Sequence, residues 1–432
     1  MKVVHLSTSV SKSSANTKLH YSLLNNGIDS SILTLEKCSD ELKHTYNQKK
    51  TFHYKVENKL INGIESKYLK YIYPERESLI YSSAYVGINI LNNKLIKEAD
   101  IIHMHWINGG FISIGILKKI LKLNKPIVWT FHDSWPMTGG CHVRYGCNNF
   151  EEECGNCRML ASNKKKDFSY RILKRKKSIE NLDRIFLIAP STWMLSNIKK
   201  SSLFSKNKCA CIPNTLDVNI YKSYDNKTED KFVVLFGAMD AMSVPYKGFS
   251  YLLKSLEILT EAYPDMKNKM ELHVFGSNKI GEEISNRYTC KCWGVIKDEI
   301  ELAQIYSQAN VYVLPSLDDN LPGTVMESLA CETPVVAFKT GGIPDMVEHK
   351  KNGYLAEYKN EKDLADGIAW VYENNNMSKD MGKRGRYKVV CEYSNLVIAK
   401  KHIEVYKRIL NINKKKEDKN ESHIKANKFH IR

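Results

Sequence analysis

The chain has no run of 18 or more apolar residues, and its first ten residues pass directly into a polar loop without the apolar segment of a secretory leader. A membrane-spanning helix is therefore not expected, and a soluble, cytoplasmic protein is. A disulfide framework is missing as well. Eleven cysteines is an odd number, and Cys38, Cys331 and Cys391 stand singly, which suits a reducing compartment. The chain is also short of acid, with a net charge of +17 and a pI near 9.1. Yet it contains no recognition-helix, finger or aromatic-interleaved sheet motif, so nucleic acid is not the expected partner. Phosphorylated ligands or an anionic membrane surface account for the excess of base equally well. That excess is concentrated. Residues 164–177 carry eight Lys/Arg against one Asp, and residues 414–432 carry seven against three acids.

At 432 residues the chain exceeds a single ordinary core, and 43% hydrophobic content can fill two or three. Short apolar runs at 3–7, 101–106, 127–131 and 185–189 read as buried strands separated by helical text. Residues 19–26 read as helical and close on Gly27, a natural helix-ending glycine, and 112–123 carry apolar residues at helical spacing. The aromatic and charged stretch 36–95 reads as helices with an insertion and supplies no motif. After the Pro-Asn turn at 213–214 and the polar run 223–231, a second strand series occurs at 231–237, 271–276, 292–296, 311–315 and 334–338. Strand and helix alternating at this spacing means parallel sheets, and so an α/β protein. The expected division is an N-terminal domain at 1–210, a C-terminal domain at 211–392, a helix over 393–411 and a basic tail at 412–432 with too little hydrophobicity to fold.

The most informative stretch is residues 316–330, SLDDNLPGTVMESLA. It lies between two apolar strands, and in an open α/β sheet the strand carboxyl ends and adjoining helix starts favour an anion. Asp319 falls in the loop and Glu327 in the first turns of the helix. Paired carboxylates suit the vicinal hydroxyls of a ribose or hexose. The plainer alternative is a Glu that merely complements the helix dipole.

Extended to residue 347, the stretch resembles the nucleotide-sugar site of family 4 retaining glycosyltransferases: an acidic residue, seven others, Glu, a small-residue helix, a Pro-Val-Val strand and a Gly-Gly-x-Pro-acid turn. Further matching segments are PNTLDVNIY at 213–221, LFGAMDAMSVPYKGFSYLLKSL at 235–256 and NGYL at 352–355. The resemblance implies a GT-B architecture, two Rossmann-like domains facing a central cleft. It also implies transfer of a sugar, with retention, from a nucleotide-sugar donor to a glycan acceptor, commonly lipid-linked and destined for surface polysaccharide. Glu327 would hold the ribose hydroxyls and Asp319 would face the donor sugar, where Glu is commoner. Lys247 would neutralise the diphosphate, and Gly323 and Thr324 would offer backbone amides. Position 238, where many members carry a partnering Arg, is Ala. His132, in TFHDSWPMTGGCH at 130–142, would reach the transferred sugar, with Asp133 either capping the next turn or orienting the histidine. A non-catalytic sugar-nucleotide or glycan-binding subunit is the alternative, encouraged by Ala238 and by a first-strand turn, residues 7–17, without the family's glycines.

His103 and His105 share one face of a strand and read as structural or acceptor-facing rather than metal-binding. Cys141, Cys147, Cys154 and Cys157 are compact enough to surround one tetrahedral zinc, with His142 to spare. Reduced packing cysteines or disulfides are the alternatives. No metal or other cofactor is implied for catalysis. Finally, residues 164–177 place Phe168, Ile172 and Leu173 on one side of a very basic helix, which could lie on an anionic bilayer as in a peripheral membrane protein.

Overall fold

The computed structural model describes residues 1–37, 42–77, 81–224, 230–237, 242 and 244–411. Ala238 and the 412–432 tail lie outside them. The chain divides into two compact units. The first comprises Met1–Ala189, Leu195–Ile212 and the chain from Ile398; the second comprises Pro190–Met194 and Pro213–Val397.

The first unit is built on a sheet of β1 (Lys2–Ser7), β2 (Asp29–Thr34), β3 (Thr45–Asn47), β4 (Ile101–Met104), β5 (Ile127–Thr130), β6 (Phe186–Ala189) and β7 (Cys209–Cys211), ordered 3-2-1-4-5-6-7. Every pairing is parallel. The central strands are buried along their length, as covered parallel strands must be, and they read as continuous apolar text. β2 does not read so, because Ser30 and Thr34 are buried polar residues whose hydroxyls are satisfied by His20 Nδ1 and by the Thr8 carbonyl. That chemistry explains why the sequence shows no strand there. β7 falls in text that reads as a connection.

The second unit holds β8 (Phe232–Gly237), β9 (Met270–Phe275), β10 (Thr289–Gly294), β11 (Val311–Leu314), β12 (Val335–Phe338) and β13 (Gly353–Ala356), again all parallel, in the order 10-9-8-11-12-13. Two apolar clusters cover its faces, one around Tyr306, Tyr312 and Leu329, the other around Leu252, Leu256 and Ile368.

Residues 395–411 form a helix whose start is tied to the second unit by Thr215 Oγ1 donating to Asn395 Oδ1. Its Ile398, Ala399 and Tyr406 pack into the first unit's core against Val3, Val128 and Ile188.

One local expectation changes, that of the basic helix. The turn at 7–17 has no residue with positive φ. Hydroxyls shape it, with Ser7 Oγ donating to the Ser9 carbonyl and Ser14 Oγ to the Ser11 carbonyl. The basic helix Phe168–Lys177 buries Phe168, Ile172 and Leu173 inside the protein at 7%, 0% and 1% exposure. Its apolar side is occupied by the core, so this helix cannot offer it to a bilayer. Among the described residues no helix is long and apolar enough to cross a membrane.

Candidate functional site

In the second unit, β11 ends at Leu314, and the next loop carries Asp318, Asp319 and Asn320 to the start of the helix Gly323–Ala330. Two glycines fix this loop. Gly248 adopts φ +76°, and a Cβ there would meet the Pro315 carbonyl oxygen at 1.9 Å. Gly341, at φ +56°, lies so close beneath Asp319 that a Cβ would approach its carbonyl oxygen to 1.8 Å. The Gly342 N–H donates to that same carbonyl at 3.1 Å. The Gly-Gly turn is thus the floor on which Asp319 rests.

Lys247 precedes Gly248, and its Nζ meets Asp319 Oδ2 at 2.7 Å, with the side chains 17% and 14% exposed. Burial alone would lower the lysine's pKa, but the Asp319 carboxylate, with help from Tyr246 and Asp318, leaves it raised. The ammonium is therefore held charged. Eight residues beyond Asp319, the Glu327 carboxylate accepts a hydrogen bond from the buried Tyr306 hydroxyl at 3.1 Å. Burial, and then the Glu327 charge, push the Tyr306 pKa well up, so the phenol stays a donor. A Cβ on Gly323 would lie 3.7 Å from Glu327 Oε1, which places that oxygen over the first turn of the helix. The residue at the N-cap, Pro322, supplies no side-chain cap to this helix start, where Gly323 and Thr324 sit. Lys247, Asp319, Glu327, Gly323 and Thr324 are thus gathered on one side of the β11 end.

In the first unit, His132 lies just past β5 and is half-buried. It ends a chain of imidazoles: His132 Nε2 lies 3.0 Å from His105 Nδ1, and His105 Nε2 lies 2.9 Å from His5 Nδ1. Beside the chain, His103 is bound through both ring nitrogens, to the Tyr406 hydroxyl at 2.7 Å and the Thr130 hydroxyl at 2.8 Å. Ring nitrogens of His5, His103 and His105 come within 4.8 Å of one another. His103 and His105 have both nitrogens engaged by protein partners, whereas the buried His5 Nε2 has none. Burial above all holds these groups neutral. It lowers His5, His103 and His105 well below 6.5, with neighbouring histidines adding to the effect, and brings His132 and His402 to about 4. Asp133 acts on His132 through its charge, which opposes the lowering by burial. One oxygen accepts the Trp135 N–H at 2.8 Å and the other meets His142 Nδ1 at 2.6 Å. It caps the turn at Trp135, which was one of the two roles open to it.

The family description "Glycosyltransferase Family 4" fits residues 22–220, and "Glycosyl transferases group 1" fits residues 221–388. An uncharacterized glycosyltransferase of Haemophilus influenzae is 29% identical over 312 residues, covering 70% of this chain and 75% of that protein. A putative colanic acid biosynthesis glycosyl transferase, WcaC, of Escherichia coli is 24% identical over 295 residues, covering 64% and 68%. Among solved structures, sucrose-phosphate synthase of Thermosynechococcus elongatus aligns over 95% of this chain and 100% of its own, with TM-score 0.61 and 16% identity. Anabaena HepE, solved with UDP, aligns over 94% and 100%, with TM-score 0.61 and 15% identity. The chain belongs to the GT-B glycosyltransferases.

Sequence reasoning missed two parts of this glycosyltransferase's second-unit site. Tyr306 stands 21 residues before its Glu327 partner, and only the fold brings them together. Gly341 was visible within the Gly-Gly turn, but its service to Asp319 was not.

The four cysteines line one small cavity of about 20 Å³, with Cys141, Cys154 and Cys157 buried, and all four are free thiols. The Gly139 N–H donates to Cys154 Sγ at 3.2 Å. Burial, then the neighbouring sulfurs, raise Cys141, and burial brings Cys154 to about 12. No three of these sulfurs are among the described ligand sets gathered within 4.8 Å. His142 is turned to Asp133 and to Ser82 Oγ, at 2.9 Å, and not to the cysteines.

Proposed function

We propose that this glycosyltransferase transfers a sugar from a nucleotide-sugar donor to a glycan acceptor with retention at the anomeric carbon. The observation that carries the reading is the charged Lys247, paired with Asp319 beside a helix start whose N-cap is Pro322, with Glu327 steadied by a buried phenol. A carboxylate can accept both hydroxyls of a vicinal diol, which suits Glu327 to a ribose. Lys247 exchanges its Asp319 contact for the donor's diphosphate and, with the Gly323 and Thr324 amides, stabilises the charge that builds there as the glycosidic bond breaks. Asp319 is released toward the sugar hydroxyls, and His132 acts on the transferred sugar. The diphosphate then assists the acceptor hydroxyl on the face it leaves, so no enzyme carboxylate need form a covalent intermediate. Structures solved as HepE with UDP and with UDP-glucose favour a uridine donor. The likenesses to WcaC and to a Campylobacter jejuni transferase named for a diphospho-undecaprenol acceptor favour lipid-linked polysaccharide synthesis at the cytoplasmic face of the membrane.

The test is a thermal-shift and donor-hydrolysis screen over UDP-, GDP- and other nucleotide sugars, with Glu327→Ala beside the wild type. One donor class should stabilise and turn over in the wild type only; no shift, or an equal one in the variant, removes the assignment. A structural zinc among the cysteines is a separate proposal, with no part in the chemistry. About one zinc per chain, lost in Cys154→Ser, supports it; a wild type without zinc, or zinc retained by the variant, rules it out.

A further inference from the structure

The helix Phe52–Ile72 lies in the stretch that yielded no motif from sequence, and it is 21 residues long. At 1.5 Å per residue it spans about 30 Å. One narrow face fastens it to the first unit. Tyr54 and Leu69 are buried, the Tyr54 hydroxyl donates to the Gly110 carbonyl at 2.8 Å, and Glu65 accepts the Ser83 hydroxyl at 2.5 Å. Thr51 caps its start by accepting the Tyr54 N–H.

Its outer side is apolar and uncovered. Phe52, Val56, Leu60 and Ile64 recur every fourth residue and are 83%, 41%, 60% and 66% exposed, and at the far end of the helix Tyr71 and Ile72 are 85% and 40% exposed. Residues four apart lie above one another on a helix, so this is one continuous stripe. An exposed apolar stripe of this length on an otherwise strongly basic protein calls for an occupant. Lys55, Lys59, Lys67 and Lys70 are exposed on the same helix. Of its two acids, Glu65 is engaged with Ser83, which leaves Glu57 alone against four lysines.

We propose that this helix is the surface by which the protein docks on an anionic bilayer, lying in the plane of the interface with the Phe52–Ile64 row in the acyl boundary and the lysines against lipid phosphates. The charge selects this occupant. A second copy of the same face would oppose four lysines to four lysines, and a neutral partner groove would leave them unanswered. An acidic lipid surface satisfies both halves of the helix at once. The binding itself is independent of the donor site. Its use, bringing the enzyme to a lipid-linked acceptor, rests on the function proposed above.

The test sediments the full chain with vesicles of phosphatidylcholine alone and of phosphatidylcholine with phosphatidylglycerol. The wild type should bind the anionic vesicles and release as salt rises. Leu60→Glu/Ile64→Glu and, separately, Lys55→Glu/Lys59→Glu should each weaken that binding by about ten-fold or more, while the thermal shift with nucleotide sugar stays as in the wild type and reports an intact fold. Equal binding to both vesicle types, or undiminished binding by the Leu60→Glu/Ile64→Glu variant, overturns the proposal. So does a dimer that this variant dissociates. Vesicle binding without any nucleotide response would instead remove the donor-site reading and leave the docking surface standing.

Discussion

The two units share an architecture and differ in how they treat charge. The second keeps ionised groups at the carboxyl end of its sheet: Lys247 against Asp319, and Glu327 under Tyr306. The first fills the corresponding region with buried imidazoles held neutral, a chain from His5 through His105 to His132. A site that must grip a diphosphate needs fixed charge, and one that must meet an uncharged sugar needs polar groups that bring no charge of their own. The contrast therefore divides the labour of the proposed reaction: anion binding on the second unit, handling of neutral hydroxyls on the first.

Acid should break this contrast with the largest effect. His132, His402 and His20 are held near 4 in the folded chain and titrate near 6.5 when unfolded. Between those values the unfolded state takes up protons that the folded state refuses. Stability is thus complete above about 6.5, falls as pH drops toward 4, and levels off below. Each such histidine costs roughly 3 kcal/mol across the window. Six lowered histidines lie in the first unit, whereas in the second only His273 is lowered among the described residues. Hydrogen exchange measured from pH 7 to pH 4 should show the first unit losing protection while the second keeps it. Simultaneous loss would contradict the division.

Removing the fixed charge comes next. Lys247→Ala should lower donor turnover by about 100- to 1000-fold, as expected when one stabiliser of developing negative charge is lost. His132→Ala should lower kcat by about 100-fold while donor affinity stays near wild type, because it contributes to sugar and not to nucleotide. Steady-state kinetics separates the two.

The floor under Asp319 gives a smaller effect. Gly341→Ala sets a methyl against the Asp319 carbonyl at a positive φ, and should cost about 1–3 kcal/mol in stability and weaken donor binding in step. Tyr306→Phe, which deletes only the hydroxyl that steadies Glu327, should weaken nucleotide by about five-fold, the worth of roughly 1 kcal/mol. Denaturant melts and nucleotide titrations measure both.

Much of this was legible in the sequence, and the exceptions share a cause. The strands β4, β5, β6, β8 and β11 announce themselves because both faces are covered and their text is almost wholly apolar. The residues of 316–330 stand out because loop, helix start and carboxylates are contiguous. What was hidden depends on partners distant in the chain. β2 hides its strand behind Ser30 and Thr34, whose burial is tolerated only with His20 and Thr8 beside them. Tyr306 looks like any helical aromatic until Glu327 arrives above it. Residues 164–177 read as an amphipathic basic helix and 52–72 supplied no motif, and only folding decides that Phe168–Lys177 turns its apolar side to the core while Phe52–Ile72 does not.

The division of labour within the second unit is tested most directly by calorimetric titration of a nucleoside monophosphate and the matching diphosphate into the wild type, Lys247→Ala and Glu327→Ala. Lys247→Ala should weaken the diphosphate while leaving the monophosphate nearly unchanged, and Glu327→Ala should weaken both through the ribose. If Lys247→Ala weakens neither, or Glu327→Ala binds both as the wild type does, the charged grip on the second unit is not where the donor is held.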